Sequence, residues 1–327
     1  MISDKPPEKA VFAPVPTRSA SLAALVLLAA CSSERELLPP EILTHSFAGS
    51  EWSEPVHLDA PINSPYRELG GAQPTPDGLS LYFASDRPGG FGAIDIWISR
   101  RACKDCPWGE PVNAGPTFNS LEGDGHVTFT PDGLTMFFSG GARPGGAGNN
   151  DIYVTHRTDP NDDFSWETPV NVGPGVNTPA HEAGPAYVPA MTASGVNLYF
   201  GRDERYYQTR VTRDGQVTAP VTPLYIGHPA LPVNEITMRA DGRELIFFSV
   251  RPDGMGAPDL WVSTRNSPNE LWSAPRNLGT PVNTPFADFS PSLSWDGRTL
   301  FFSAGAKRRP SLGITDIWMS TRTPSGR

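Results

Sequence analysis

What most constrains the fold of this chain is repetition: three short blocks return in a fixed order along its 327 residues. The first is a turn, Pro76-Asp77-Gly78, Pro131-Asp132-Gly133, Ala240-Asp241-Gly242 and Trp295-Asp296-Gly297, with a weaker copy at Ala193-Ser194-Gly195. Aspartate bonds its own backbone and glycine accepts a positive φ, so each turn joins two strands of a hairpin. At a constant offset comes an apolar triplet: Leu81-Tyr82-Phe83, Met136-Phe137-Phe138, Leu198-Tyr199-Phe200, Leu245-Ile246-Phe247 and Leu300-Phe301-Phe302. Three large residues in a row predict a strand covered on both faces.

The second block is Asp95-Ile96-Trp97, Asp151-Ile152-Tyr153, Asp259-Leu260-Trp261 and Asp316-Ile317-Trp318, each running on to Arg100, Arg157, Arg265 or Arg322. The aspartates suit caps at strand starts, and the tryptophans suit inter-blade core. The third block is Trp52-Ser53-Glu54-Pro55, Trp108-Gly109-Glu110-Pro111, Trp166-Glu167-Thr168-Pro169 and Trp272-Ser273-Ala274-Pro275, with a weak copy at Thr218-Ala219-Pro220. Proline there fits an edge strand. Successive turns lie 55, 62, 47 and 55 residues apart, room for the four strands of a propeller blade.

The order of the blocks predicts how the ring closes. The first Trp block precedes the first turn, and none follows Trp318. The expected fold is therefore all-β: a five-bladed β-propeller of four-stranded blades in which the N-terminal strand completes the last blade, leaving no open sheet edge. The propeller is assigned to residues 42–327. The third blade departs from the pattern, with Tyr206-Tyr207 where Asp-Ile-Trp should stand.

Pro-Asp-Gly, Leu-Tyr-Phe-x-Ser, Asp-Ile-Trp and Trp-x-x-Pro, in register over residues 52 to 322, resemble the WD40-like propeller repeats of the TolB type. Ser85-Asp86-Arg87-Pro88-Gly89-Gly90 and Asn63-Ser64 are similar to elements of its bacterial lipoprotein branch. The resemblance implies a binding or scaffolding protein and carries no shared catalytic residues, because such a fold does not fix a function.

An apolar run from Ala20 to Ala30 follows Arg18. It is too short to span a bilayer and has the length of a signal-peptide core. It ends in Leu28-Ala29-Ala30-Cys31, which looks like a bacterial lipobox. Residues 1–30 are thus expected to be a lipoprotein signal peptide, Cys31 the lipidation site, and 31–41 a linker from a membrane anchor. Ser32, in place of an aspartate that resembles an inner-membrane retention signal, points to the outer membrane, facing the periplasm or the cell surface. With 26 basic against 35 acidic residues the net charge is −9, which disfavours nucleic acid as a partner.

In such an oxidising compartment Cys103 and Cys106 are expected to form a local disulfide. No second Cys-x-x-Cys or paired-histidine motif completes a zinc set, so neither a metal nor a cofactor is implied. His126 and His181 lie near one mouth of the ring, and packed or surface roles are expected of them.

Strand order places the loops between blades, carrying Glu68, Asp124, Glu182, Glu235 and Asp288, on the same face as the second-to-third-strand loops, carrying Arg87, Arg143 and Arg251. Charges of both signs at one mouth could bind a polar ligand, or could tie loops together. Glu68, Arg87, Asp124, Arg143, Glu182, Arg251 and Asp288 are the candidate ligand-binding set, with no catalytic residue assigned. The expected protein is a noncatalytic, monomeric envelope lipoprotein that binds a protein or glycan partner. The alternative is a five-bladed carbohydrate-active hydrolase with paired carboxylates at the mouth.

Overall fold

The computed structural model describes residues 46–47, 49–189, 197–203, 205–227 and 233–325, besides Met1. The expected signal peptide after Met1, Cys31, the expected linker and the turn copy at Ala193-Ser194-Gly195 lie outside the described residues.

The fold is the five-bladed propeller. Strand β1 (Val56–His57) comes first in the chain, and blade I follows as β2 (Glu68–Pro74), β3 (Ser80–Ser85), β4 (Asp95–Arg100) and β5 (Val112–Asn113). Blade II holds β6 (Asp124–Phe129), β7 (Thr135–Gly141), β8 (Asn150–His156) and β9 (Val170–Asn171). Blade III holds β10 (Glu182–Tyr187), β11 (Leu198–Arg202), β12 (Arg205–Thr209) and β13 (Thr222–Pro223). Blade IV holds β14 (Asn234–Met238), β15 (Glu244–Ser249), β16 (Asp259–Thr264) and β17 (Arg276–Asn277). Blade V holds β18 (Asp288–Leu293), β19 (Thr299–Gly305) and β20 (Thr315–Thr321), and β1 is its fourth strand, with Val56 opposite Met319 and His57 opposite Trp318.

The apolar triplets form the second strand of each blade and are almost wholly buried, since each blade packs on a neighbour on both sides. The tryptophans of the third block are not strand residues; the paired residues of β1, β5, β9 and β17 begin just after the proline. Their rings serve instead as platforms for arginines. Arg101, Arg157, Arg265 and Arg322 stack 4.1–4.4 Å over Trp108, Trp166, Trp272 and Trp52. Each also donates Nε to the glycine carbonyl of its own blade's turn. One guanidinium thus binds hairpin to outer strand. In blade I that arginine is Arg101; Arg100, which the sequence spacing selects, meets Asp163 of blade II.

Loops are tied as regularly. Asp95, Asp151 and Asp259 accept backbone N–H groups of the loop before them and an asparagine of the fourth strand. Asp316 does the same in blade V, with His57 of the closing strand in the asparagine's place. A disulfide joins Cys103 and Cys106, their Cα atoms 5.0 Å apart, in the third-to-fourth loop of blade I.

Candidate functional site

The inner strands β2, β6, β10, β14 and β18 line the axis, and each carries a register shift. At each shift one residue has a left-handed backbone: Gly71, His126, Gly184, Glu235 and Ser290. Glycine bears this φ freely, whereas other residues are strained there by about 1–3 kcal/mol. Blades I and III use glycine; blades II, IV and V place a histidine, a glutamate and a serine into the channel instead. Gly184 leaves the gap between blades II and IV open, since a Cβ there would stand 2.6 Å from the Tyr206 hydroxyl.

Across that gap His126 Nε2 and Glu235 Oε1 meet at 3.0 Å. The ring nitrogen lies off the line of a hydrogen bond, so this is a charge contact. Burial disfavours charge on both groups, yet each holds the other ionised: His126 is raised above its ordinary value and Glu235 lowered, helped by the Ser290 hydroxyl. The buried Tyr206 phenol is pushed far up, first by burial and then by Glu235, and it accepts the Ile236 N–H at 3.0 Å. The remaining void on the axis is about 40 Å³, space for one or a few waters. Glu235 is therefore a channel residue on β14 and not a loop residue at the mouth.

The other acids at the mouth face inward and form separate pairs rather than one cluster. Glu68, Asp124, Glu182 and Asp288 are at most 2% exposed. Each accepts the hydroxyl and the backbone N–H of Ser64, Ser120, Thr178 or Thr284 in the loop leading into its blade. Each is paired with an arginine of its own blade: Glu68 with Arg87 at 3.0 Å, Asp124 with Arg143, Glu182 with Arg202 at 2.8 Å and Asp288 with Arg308 at 2.7 Å. Those arginines also donate to loop carbonyls such as Ile62 and Phe118. Burial pushes the Glu68, Asp124 and Asp288 carboxyls up despite these partners. Arg202 and Arg308 complete the set, and sequence reasoning missed both. The signal was one arginine shortly after each apolar triplet, but at an offset that varies with loop length.

Arg251 differs. Its guanidinium sits over Phe247 and Trp261 as its counterparts sit over their aromatic pairs. No described carboxylate pairs with it, because blade IV has Val233 two residues before the left-handed Glu235, where blades II, III and V have their acid.

Around this mouth the loops carry exposed apolar side chains at three of the seams between blades. Phe91 and Leu121 flank the seam of blades I and II, Met255 and Phe286 that of IV and V, and Leu312, Ile314 and Tyr66 that of V and I; Leu121 is 83% exposed. Backbone bonds fix each pair of loops: Ala93 N–H to Glu122, Asp288 N–H to Pro258 and Ile314 N–H to Tyr66.

The opposite face carries the Pro-Asp-Gly turns and is not closed off by them. A recess of about 970 Å³ opens there between blades I and V, lined by Trp52, Trp295, Arg101, Lys104 and Asp296 among others. Among the described residues no group of three or more His, Cys, Asp or Glu side chains could hold a metal ion.

Fold and axis together define a β-propeller of the five-bladed class. No protein-family model and no curated protein matches this sequence. Solved structures do match. An α-L-arabinofuranosidase from Podospora anserina is 11% identical over 86% of this chain and 98% of its own, with a TM-score of 0.46. An endo-arabinase from Bacteroides thetaiotaomicron is 13% identical over 83% and 97%, at 0.48. TolB from Acinetobacter baumannii is 16% identical over 80% of this chain and 56% of its own, at 0.44. At such identities the likeness extends to the fold alone.

Proposed function

We propose that the chain is a noncatalytic recognition platform of the TolB-like kind, held at the cell envelope by lipid on Cys31, and that it docks a protein partner on the loop face around Glu68, Asp124, Glu182 and Asp288. One observation carries this reading: the exposed apolar residues Tyr66, Phe91, Leu121, Met255, Phe286, Leu312 and Ile314 gather on the loops of that face. Apolar side chains set in a polar rim are the makeup of protein interfaces. Hydrolysis of a sugar bond needs two carboxylates open to the substrate; the mouth carboxylates are sealed and committed to arginines. The recess on the other face favours a second reading, a carbohydrate-active hydrolase, because it has the volume of an oligosaccharide site, two tryptophans and the carboxylates of Glu51, Asp105 and Asp296.

Photo-crosslinking side chains placed at Leu121 and Ile314 in cells should give one discrete protein adduct, absent from the same chemistry at Val112 and Val170 on the outer strands. Equal labelling at all four positions refutes the docking face. Turnover of arabino-oligosaccharides by the purified protein, lost on Asp296→Asn, establishes the second reading instead. Cys31→Ser should release the protein from membranes and abolish incorporation of labelled fatty acid.

A further inference from the structure

In all five blades an arginine at the end of the second strand or in the loop after it lies over two aromatic rings: Arg87 on Phe83 and Trp97, Arg143 on Phe138 and Tyr153, Arg202 on Phe200 and Tyr207, Arg251 on Phe247 and Trp261, and Arg308 on Phe302 and Trp318. In four of them a buried carboxylate of the innermost strand completes the site. Blade IV keeps the arginine and the aromatic seat and has lost the acid.

The consequence for Arg251 is direct. Its Nε and Nη2 are sealed from water and have no hydrogen-bond partner. The side chain as a whole is only partly buried, and Nη1 is the guanidinium nitrogen left open to the mouth. Asp253 is the carboxylate that acts on it electrostatically, but no ion pair joins them within 4.0 Å. A buried polar group without a partner is costly, and a charged one more so. A guanidinium seated against two rings, with donors in a fixed fork, is suited to a planar two-oxygen acceptor.

The structure assigns to Arg251 the role of an anchor for a carboxylate brought by another molecule, an acidic side chain of the docked partner, in place of the internal carboxylate that the other four blades supply. This rests on the recognition reading above, and it deepens it by naming the group recognised. The neighbouring Met255 and Phe286 supply apolar surface beside the anchor, so an acidic residue next to an apolar one is the partner motif.

The test uses acetate as the probe and the full mature chain. In nitrogen-detected NMR the Arg251 Nε–H resonance should shift saturably as acetate is added at constant ionic strength, and the shift should be lost in Arg251→Gln. The Arg87 and Arg143 resonances, whose partners are internal, should not move. Melting separates a binding role from a structural one: Arg87→Gln should lower the transition, while Arg251→Gln should leave it unchanged or raise it. The anchor is overturned by a linear, unsaturable response at Arg251, or by Arg251→Gln destabilising the protein as much as Arg87→Gln. Because acetate needs no partner, a failure here with crosslinks intact at Leu121 and Ile314 removes only the anchor. Saturable acetate binding with no crosslinks removes only the docking reading.

Discussion

At the scale of single residues, the molecule separates charges that hold the ring from charges that are held in it. Arg308 exemplifies the first kind: its guanidinium is bound to Asp288 and to the Val282 carbonyl, and stacks 4.5 Å from the Trp318 ring centroid. Removing one member of such a buried pair strands the other, at about 3–5 kcal/mol. Arg308→Met should therefore cost about that much in chemical denaturation at neutral pH, and less in acid, where Asp288 can protonate. His126 and Glu235 are of the second kind. His126 has a pKa raised above 6.5, so its contribution to stability is complete below 6.5 and is lost as pH rises through the raised value. Glu235 has a pKa lowered from 4.5, so its contribution is present above 4.5 and is lost as pH falls through the lowered value. The pair should thus stabilise most between these limits. Urea midpoints followed across pH should show a decline on the alkaline side that disappears in Glu235→Gln; a decline of equal size in that variant would assign it to other groups.

At the scale of elements, legibility followed burial. The second strands are packed on both faces and must be apolar throughout, so Leu81-Tyr82-Phe83 and its copies declare themselves. The fourth strands pair through two residues only, and a two-residue strand has no period to read. They were found through tryptophans that turn out to serve as arginine platforms. The mouth acids were visible as a repeat, but not their pairing, since a sequence does not show that Glu68 points inward. Arg202 stayed hidden because blade III replaces the long second-to-third loop with a tight turn at Asp203. The His126–Glu235 contact joins blades II and IV through a register shift, which leaves no local trace in composition. The disulfide loop was legible from the spacing of Cys103 and Cys106 together with the expected compartment. Closing so short a loop limits the denatured chain little, so reduction of Cys103–Cys106 should cost about 2 kcal/mol or less. Calorimetry with and without reductant on the Cys103→Ser, Cys106→Ser variant as control would measure it; loss of the whole fold on reduction would contradict it.

At the scale of the whole molecule, stability depends on joining the chain's two ends. The paired part of β1 is short, but the segment around it adds more. Ser53 N–H bonds to Thr321, Leu58 N–H to Ile317, and the Asn63 amide bridges both backbone groups of Ile317. Phe47 is buried, with the Arg322 guanidinium 4.1 Å from its ring centroid, and Arg322 in turn is salt-bridged to Glu244 of blade IV at 2.5 Å. The N-terminal segment therefore seals blade V and locks it to blade IV. Burying Phe47, Leu58 and part of Trp52 contributes on the order of 5 kcal/mol, a large share of a net stability that is typically about 5–15 kcal/mol. Deletion of residues 42–60 should also leave the edge of β20 unpaired and open to other chains. The deleted protein should melt over a broad, uncooperative range and aggregate, with hydrogen exchange accelerated first in β18–β20 and only later in blades II and III. A sharp transition at the original temperature after that deletion would mean that the ring is held closed by the inner strands alone.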